Sequence, residues 1–313
     1  MLRYIALRLL TALPIVAFVV VFIFLMLHLA PGDPAALVAG DNATPQQLEA
    51  IRARLHLDQP LVSQFWLWLV QLSQFDLGHS IFSNQPVAAL ILKRIEPTLM
   101  LAICTMTITV LFAVPLGVLA AWRSGGGVDR FVMGLSVIGF SVPVFVVAYS
   151  LVWVFSIKLG WLPVQGYKPL AEGIWECLRG LVLPSITLSL GLSALVARVT
   201  RSAMLEILSE DYMRTARAKG AGLMRMLVVH ALKNAGVPVM TVVGIGFAGL
   251  LGGVVVTESI FTIPGIGRLT VDAIQQRDYP IVQGVMLFFS LVLIAVNLLV
   301  DLSYALFDPR IRY

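Results

Sequence analysis

The chain is predicted to fold as an all-α membrane protein with six transmembrane helices, and three observations carry that prediction. First, 59% of its 313 residues are hydrophobic and 12% are charged, with a mean hydropathy of +0.92. A soluble globular domain carries about 25% charged residues, so a water-soluble fold would lack the polar surface to cover its core. Second, six windows contain no charged residue: Leu9–Gly32, Pro97–Trp122, Phe131–Ile157, Gly180–Ala197, Asn234–Thr257 and Pro280–Val300. Each reaches or approaches the ~20 residues that cross hydrocarbon as a helix. They lack the alternation of barrel strands, and backbone groups in lipid must be satisfied within the segment, so they read as helices. Third, Lys and Arg are asymmetric. Segments 1–8, 123–130, 198–235 and 308–313 hold 13 of them, whereas loops 158–179 and 258–282 hold 5; segment 33–96 holds four more, but long loops count little in the positive-inside rule. That rule then puts both termini in the cytoplasm.

The first span, approximately 9–30, follows Arg3 and Arg8. Its apolar run exceeds the 7–15 residues of a signal-peptide core and no clear small-x-small site follows, so it is expected to remain as a span. His28 near its outer end reads as an interfacial residue. Residues 33–96 form the one large insertion, expected outside. Within it, Thr44-Pro45-Gln46-Gln47 has the pattern of a helix start, with Pro at the first helical position and a possible capping box. Leu48, Ile51 and Leu55 then share a face. A second helix is expected from Leu61 to about Leu72, where Phe65, Trp66, Trp68 and Leu69 suit a membrane interface. Two roles fit the insertion equally: seating an external protein, or capping the outer ends of the spans.

Spans two and three are expected at 98–122 and 131–157. Cys104 lies in the second span and Cys177 in an expected outer loop, so no disulfide framework or metal pair is suggested. Spans four and five, at 180–204 and 235–257, are rich in small residues. Ser189, Ser193 and Ala197 recur every fourth position, as do Gly244, Ala248 and Gly252, and Gly249 and Gly253 add a pair. Such faces let helices approach closely in lipid. Close packing and the lining of a pathway are both compatible with them. Glu258 ends the fifth span, where either solvation at the helix end or contact with a solute explains it. In the sixth span, 281–306, Asp301 follows Asn297 by one turn; an acid near a helix end reads as a hydrogen-bonded anchor rather than a proton relay.

Between spans four and five lies a polar, basic loop, 205–234, containing SEDYMRTARAKGAGLMRMLVVHALKNAGVP (Ser209 to Pro238). So much helix-forming polar chain is not needed to join two spans, and it suggests a grip for a partner. No Gly-Lys dipeptide occurs, so the chain has no P-loop; His28, His56, His79 and His230 are dispersed, and no nucleophile elbow is present. Nothing here supports catalysis, and no cofactor or metal site is indicated. The net charge of +5 is accounted for by basic residues along membrane edges, which does not suggest nucleic-acid binding.

RTARAKG (Arg214 to Gly220), with HALKNAGVP after it, resembles the EAA loop of binding-protein-dependent ABC importer permeases. Arg214, Thr215 and Ala216 stand where Glu-Ala-Ala would, and Gly220 and Leu232 match, whereas His230 and Lys233 depart from the Ile and Pro positions. HLAPGDPAALVAG, LHLDQP, FDLGHSIFSNQPVAALI, RDYPIVQG and DPRIRY are similar, in order and from the first span to the last residue, to the dipeptide/oligopeptide/nickel permease family, which includes glutathione permeases.

The resemblance implies a type I ABC importer permease fold in the bacterial inner membrane. It implies four kinds of partner: a homologous permease, two cytoplasmic ATPase subunits, an extracytoplasmic solute-binding protein and membrane lipids. Transport of peptides comes first, with glutathione or nickel as alternatives. A short helix around Gly220–Arg225 would enter an ATPase cleft, with Gly220 and Gly222 permitting the turn and Arg214, Arg217, Lys219 and Arg225 meeting acidic groups. The positive-inside rule alone would also account for those charges. An ion-coupled secondary transporter is the reading from another class. It is disfavoured because such proteins place ionisable groups or broken helices at the membrane midplane, and the six windows hold no charge.

Overall fold

A computed structural model describes residues 2–29, 35, 44–54 and 58–307. Among these the chain is helical, with one isolated bridge between His79 and Pro86. In chain order the helices are α1 (Leu2–Leu29), α2 (Pro45–Arg54), α3 (Leu61–Ser73), α4 (Val87–Trp122), α5 (Gly127–Ser141), α6 (Val144–Leu151), α7 (Ile174–Ser209), α8 (Asp211–Ala218), α9 (Gly236–Ile260), α10 (Ile266–Gln276) and α11 (Tyr279–Phe307). π-helical turns, Val152–Lys158 and Arg225–Leu232, continue α6 and precede α9. α2 begins at Pro45 and α3 at Leu61, as the turn residues direct. The side chains of His28, Ile51 and Leu55, and the DPRIRY terminus, lie outside the described residues.

α4, α7, α9 and α11 are each long and apolar enough to cross a membrane. α1 carries a shorter apolar stretch, Leu10–Met26. The third apolar run, expected as one span at 131–157, is bent. α5 and the α6–π segment meet at a bend of 101°. Pro143 is the reason: its ring pushes Val142 into an extended conformation, φ −82° and ψ 124°, which closes the preceding helix.

α4 and α7 form the central pair, and both are 36 residues long, about 54 Å at 1.5 Å per residue. They therefore protrude from a hydrocarbon layer about 30 Å thick. Gly117 sets their separation: a Cβ there would stand 2.7 Å from the Ala197 carbonyl oxygen and 2.7 Å from Thr200 Cβ. α5 closes on the same helix through Gly139, whose Cβ position is 3.1 Å from the Leu190 oxygen. The main core, built on Leu101, Leu181, Leu183, Val196 and Val254, joins α4, α7 and α9. Cys177 is not in a loop: it lies in the first turns of α7, fully buried, with Cys104 packed against the same cluster and both thiols free. Many large apolar side chains remain outward, including Phe18, Phe112, Phe131, Ile245 and Leu299, as a lipid-facing surface requires.

Candidate functional site

The basic loop folds into a compact hairpin at one end of the bundle. α8 presents Met213 inward, and the following π turn presents Met226, Leu227 and Ala231. These pack with Val118 and Ala121 of α4 and Ala203 and Met204 of α7. Asn234 donates to the Tyr212 hydroxyl (2.9 Å) and to the His230 carbonyl (2.7 Å), tying the hairpin's two arms together.

At the turn, α8 ends in a Schellman motif. The Gly220 N–H donates to the Arg217 oxygen (3.0 Å) and the Ala221 N–H to the Ala216 oxygen (3.1 Å). Gly220 has φ +80°, the left-handed conformation that glycine adopts without strain. A Cβ at Gly220 or Gly222 would meet nothing within 4 Å, so the backbone conformation makes the demand at Gly220, and crowding within this chain does not. Arg214, Thr215, Arg217, Lys219, Gly222 and Arg225 are exposed, and Ala216 is half-buried. Arg214 lies 3.4 Å from Asp211 on the solvent side of α8. Leu223 and Met224 follow the turn as exposed apolar side chains.

The small-residue faces divide by what covers them. Gly244 is filled by Val300 of α11, Gly246 by Leu192 of α7, and Gly253 sits 3.1 Å (from its Cβ position) from Leu188. Ala248 is half-buried, whereas Gly249 and Gly252 are exposed and meet nothing within 4 Å. Gly249 borders a cleft of ≈ 370 Å³ between α7, α9 and the α5–α6 bend, and none of the described residues lining it is charged. Ser189, Ser193 and Ala197 line a second groove, between α4, α5 and α7; Ser189 is itself buried and donates to the Ile186 carbonyl. Asn297 and Asp301 share a third cleft with Thr241 and Tyr304, whose hydroxyls are 2.9 Å apart.

Glu258 corrects the sequence-based expectation. It is fully buried, so it is not solvated at a helix end. Thr98 of α4 donates to one carboxylate oxygen (2.6 Å), and the Arg268 N–H in the first turn of α10 donates to the other (2.9 Å). The Ile266 N–H donates to Thr98 Oγ1 (2.8 Å). The carboxylate thus closes the N-terminus of α10, where backbone N–H groups lack helical partners. Gly265 leaves the space that the carboxylate occupies, and Gly267 lets α10 approach Val255.

Three further polar anchors were not singled out from the sequence. Asp129 and Arg201 make a two-point ion pair, 2.5 and 2.7 Å, between α5 and α7. Asp278 is buried and accepts from Ser80 (2.6 Å), joining the FDLGHS and RDYP phrases across the chain. Glu96 accepts from the Tyr167 hydroxyl (2.8 Å) and the Leu170 N–H (2.7 Å). Burial, then the bond to Glu96, pushes the Tyr167 phenol above its ordinary range. Spacing gave no signal for these pairs, because their members lie 71 to 198 residues apart.

Residues 113–313 match the family described as binding-protein-dependent transport system inner membrane component. Residues 1–102 match the N-terminal component of the same transport systems. The chain belongs to this family. It is a multi-pass inner-membrane permease component, and its family's transport depends on a binding protein. A probable peptide ABC transporter permease protein of Sinorhizobium fredii (strain NBRC 101917 / NGR234) is 53% identical to the permease over 310 residues, 99% of each chain. A putative peptide transport system permease protein of Brucella abortus (strain 2308) is 46% identical over 98% of each. The glutathione transport system permease protein of Escherichia coli (strain K12) is 45% identical over 100% of each. Among solved structures, the inward-facing MetNI methionine ABC transporter superposes with a TM-score of 0.59 at 16% identity, covering 71% of this chain and 97% of that one. That likeness establishes a shared type I importer permease fold.

Proposed function

We propose that this permease imports peptides, pairing with a homologous permease so that the pathway runs between the two. The relatives at 53% and 46% identity are named as peptide permeases, and they align along nearly the whole chain. An uncharged cleft at the α5–α6 bend, bordered by Gly249, suits solutes of varied side-chain charge. Selection would then rest with the solute-binding protein. Import of glutathione is the second reading, favoured by the 45% identical relative of that name.

The observation that carries the driven mechanism is the hairpin at 205–234. It is locked to α4 and α7 by Met213, Met226 and Leu227, and it holds Leu223, Met224 and Arg225 outward just beyond the Gly220 turn. A rigid base with an exposed apolar and basic tip is what a lever on a separate ATPase requires. Arg214, Thr215, Ala216, Arg217, Lys219, Gly220, Gly222 and Arg225 form this coupling surface in our reading, and two cytoplasmic ATPase subunits supply the energy. With the hairpin in the cytoplasm, both termini lie inside and the 33–96 insertion outside.

Mass spectrometry of the ligand carried by the cognate binding protein, with uptake by the reconstituted complex, tests the substrate. Short peptides are the expected ligands, and each should stimulate ATP hydrolysis. Recovery of glutathione or nickel alone, with no response to peptides, would overturn the peptide assignment.

A further inference from the structure

α3 is apolar over most of its circumference, and its third side mixes Ser63 and Gln71 with the exposed Leu67. Phe65, Trp68, Leu69 and Leu72 face inward and pack with Val20 and Ile23 of α1 and Leu287 of α11. Phe24 meets Phe65 edge-on at 5.1 Å and Trp68 at 5.8 Å. Val62, Trp66 and Val70, spaced i, i+4, i+8, form a flank that is left exposed among the described residues, at 70%, 60% and 50%. Ser63 and Gln71 lie beyond that flank and are exposed. No charged residue occurs between Leu61 and Ser73.

The level at which α3 packs decides what covers the flank. Phe24 lies fifteen residues along α1 from Leu9, where the charge-free run starts, or about 22 Å at 1.5 Å per residue. The hydrocarbon layer is about 30 Å thick. α3 is therefore held beside α1 within the bilayer's depth, more than a turn below the end of α1 at Leu29. Phe18, Phe22 and Leu25 of α1, at the same depth or deeper along its apolar run, are themselves exposed. A short uncharged helix whose apolar and aromatic side chains, Trp66 and Trp68 among them, cover most of its circumference suits the interface, where Trp is enriched.

We propose that α3 is a lateral membrane helix seated at the boundary between acyl chains and headgroups, with Val62, Trp66 and Val70 in contact with lipid. The helix braces α1 against α11 from the side and anchors the 33–96 insertion to the bilayer surface. Its flank is a lipid contact, and a docking face for the solute-binding protein must lie elsewhere on the insertion.

The test uses the assembled transporter in lipid nanodiscs. Single cysteines at Val62, Trp66, Val70, Ser63 and Gln71, with Cys104 and Cys177 replaced by serine, carry a nitroxide label. Collision with oxygen, which concentrates in lipid, is compared with collision with a water-soluble nickel chelate. Labels at 62, 66 and 70 should respond more to oxygen, and those at 63 and 71 more to the chelate. A second measurement keeps the native residues: quenching of tryptophan fluorescence by brominated phospholipid should fall in Trp66→Phe. Chelate-dominated relaxation at all five sites, or unchanged quenching in Trp66→Phe, would overturn the proposal. Protection of Val62 and Val70 from the chelate only when binding protein is added would assign the flank to that protein instead.

Discussion

Glu258 of α9 and Thr98 of α4, 160 residues apart in sequence, share a buried hydrogen bond of 2.6 Å that holds the first turn of α10. Removing the hydroxyl in Thr98→Val leaves a Glu258 oxygen and the Ile266 N–H without their shared partner. An unsatisfied buried polar group costs about 1–3 kcal/mol. The expected result is a lower unfolding temperature of the purified complex, with Thr98→Ser losing less. Equal stability of Thr98→Val and the parent chain would contradict this account.

Asp129 and Arg201 fasten α5 to α7 beside the hairpin. Asp129→Ala should reduce the amount of folded chain in the membrane, because Arg201 keeps a charge with its main partner gone. Exchanging the pair, Asp129→Arg with Arg201→Asp, should recover part of the loss, since the attraction is restored. Quantitative blotting of membrane fractions for the three variants distinguishes a pair from two independent contributions.

Gly246 and Gly249 are three residues apart on α9 and predict opposite outcomes. Gly246→Val places methyl groups where Leu192 already sits, and overpacking costs about 1–3 kcal/mol. That variant should assemble poorly. Gly249→Val has open space, so it should fold and reach the membrane normally, and narrow the cleft at the α5–α6 bend. Peptide uptake should then fall at unchanged protein level, measured with radiolabelled peptide in vesicles.

Gly220 tests the coupling hairpin. A leucine in its left-handed backbone costs about 1–2 kcal/mol locally. Asparagine tolerates that conformation better, so Gly220→Asn should be milder than Gly220→Leu. For Gly220→Leu we expect normal membrane insertion, weaker ATPase association and lost substrate-stimulated hydrolysis. Full uptake and coupling in Gly220→Leu would remove the hairpin from the coupling role.

Orientation is tested by labelling. Ser83 and Ser209 are both exposed, in the insertion and at the end of α7. With Cys104 and Cys177 replaced, a cysteine at Ser83 should react with an impermeant maleimide in intact cells and one at Ser209 should not. The reverse pattern would invert the topology.

The sequence by itself determined the class of the molecule. Charge-free windows, the loop at 205–234 and the ordered phrases around HLAPGDP, FDLGHS and RDYP are local, and local patterns fix where helices form and which relatives share them. Pro45 and Leu61 likewise marked the starts of α2 and α3. Pro143 was passed over, because charge counting sees an unbroken apolar run, and the bend it makes came only from the structure. Gly220 announced a turn, but only its φ of +80° shows that backbone geometry, and not crowding, requires glycine there. Tertiary structure alone decided which small residues pack and which stay open. Gly244 and Gly252 belong to one spacing pattern, yet Val300 fills the space at the first and nothing covers the second. It also decided the fate of Glu258: a carboxylate at a helix end reads as solvated until α4 and α10 close over it with Thr98 and the backbone N–H of Arg268. The physical reason is the same in both cases. Helix formation depends on hydrogen bonds four residues apart, whereas burial of a side chain depends on what distant segments bring to it.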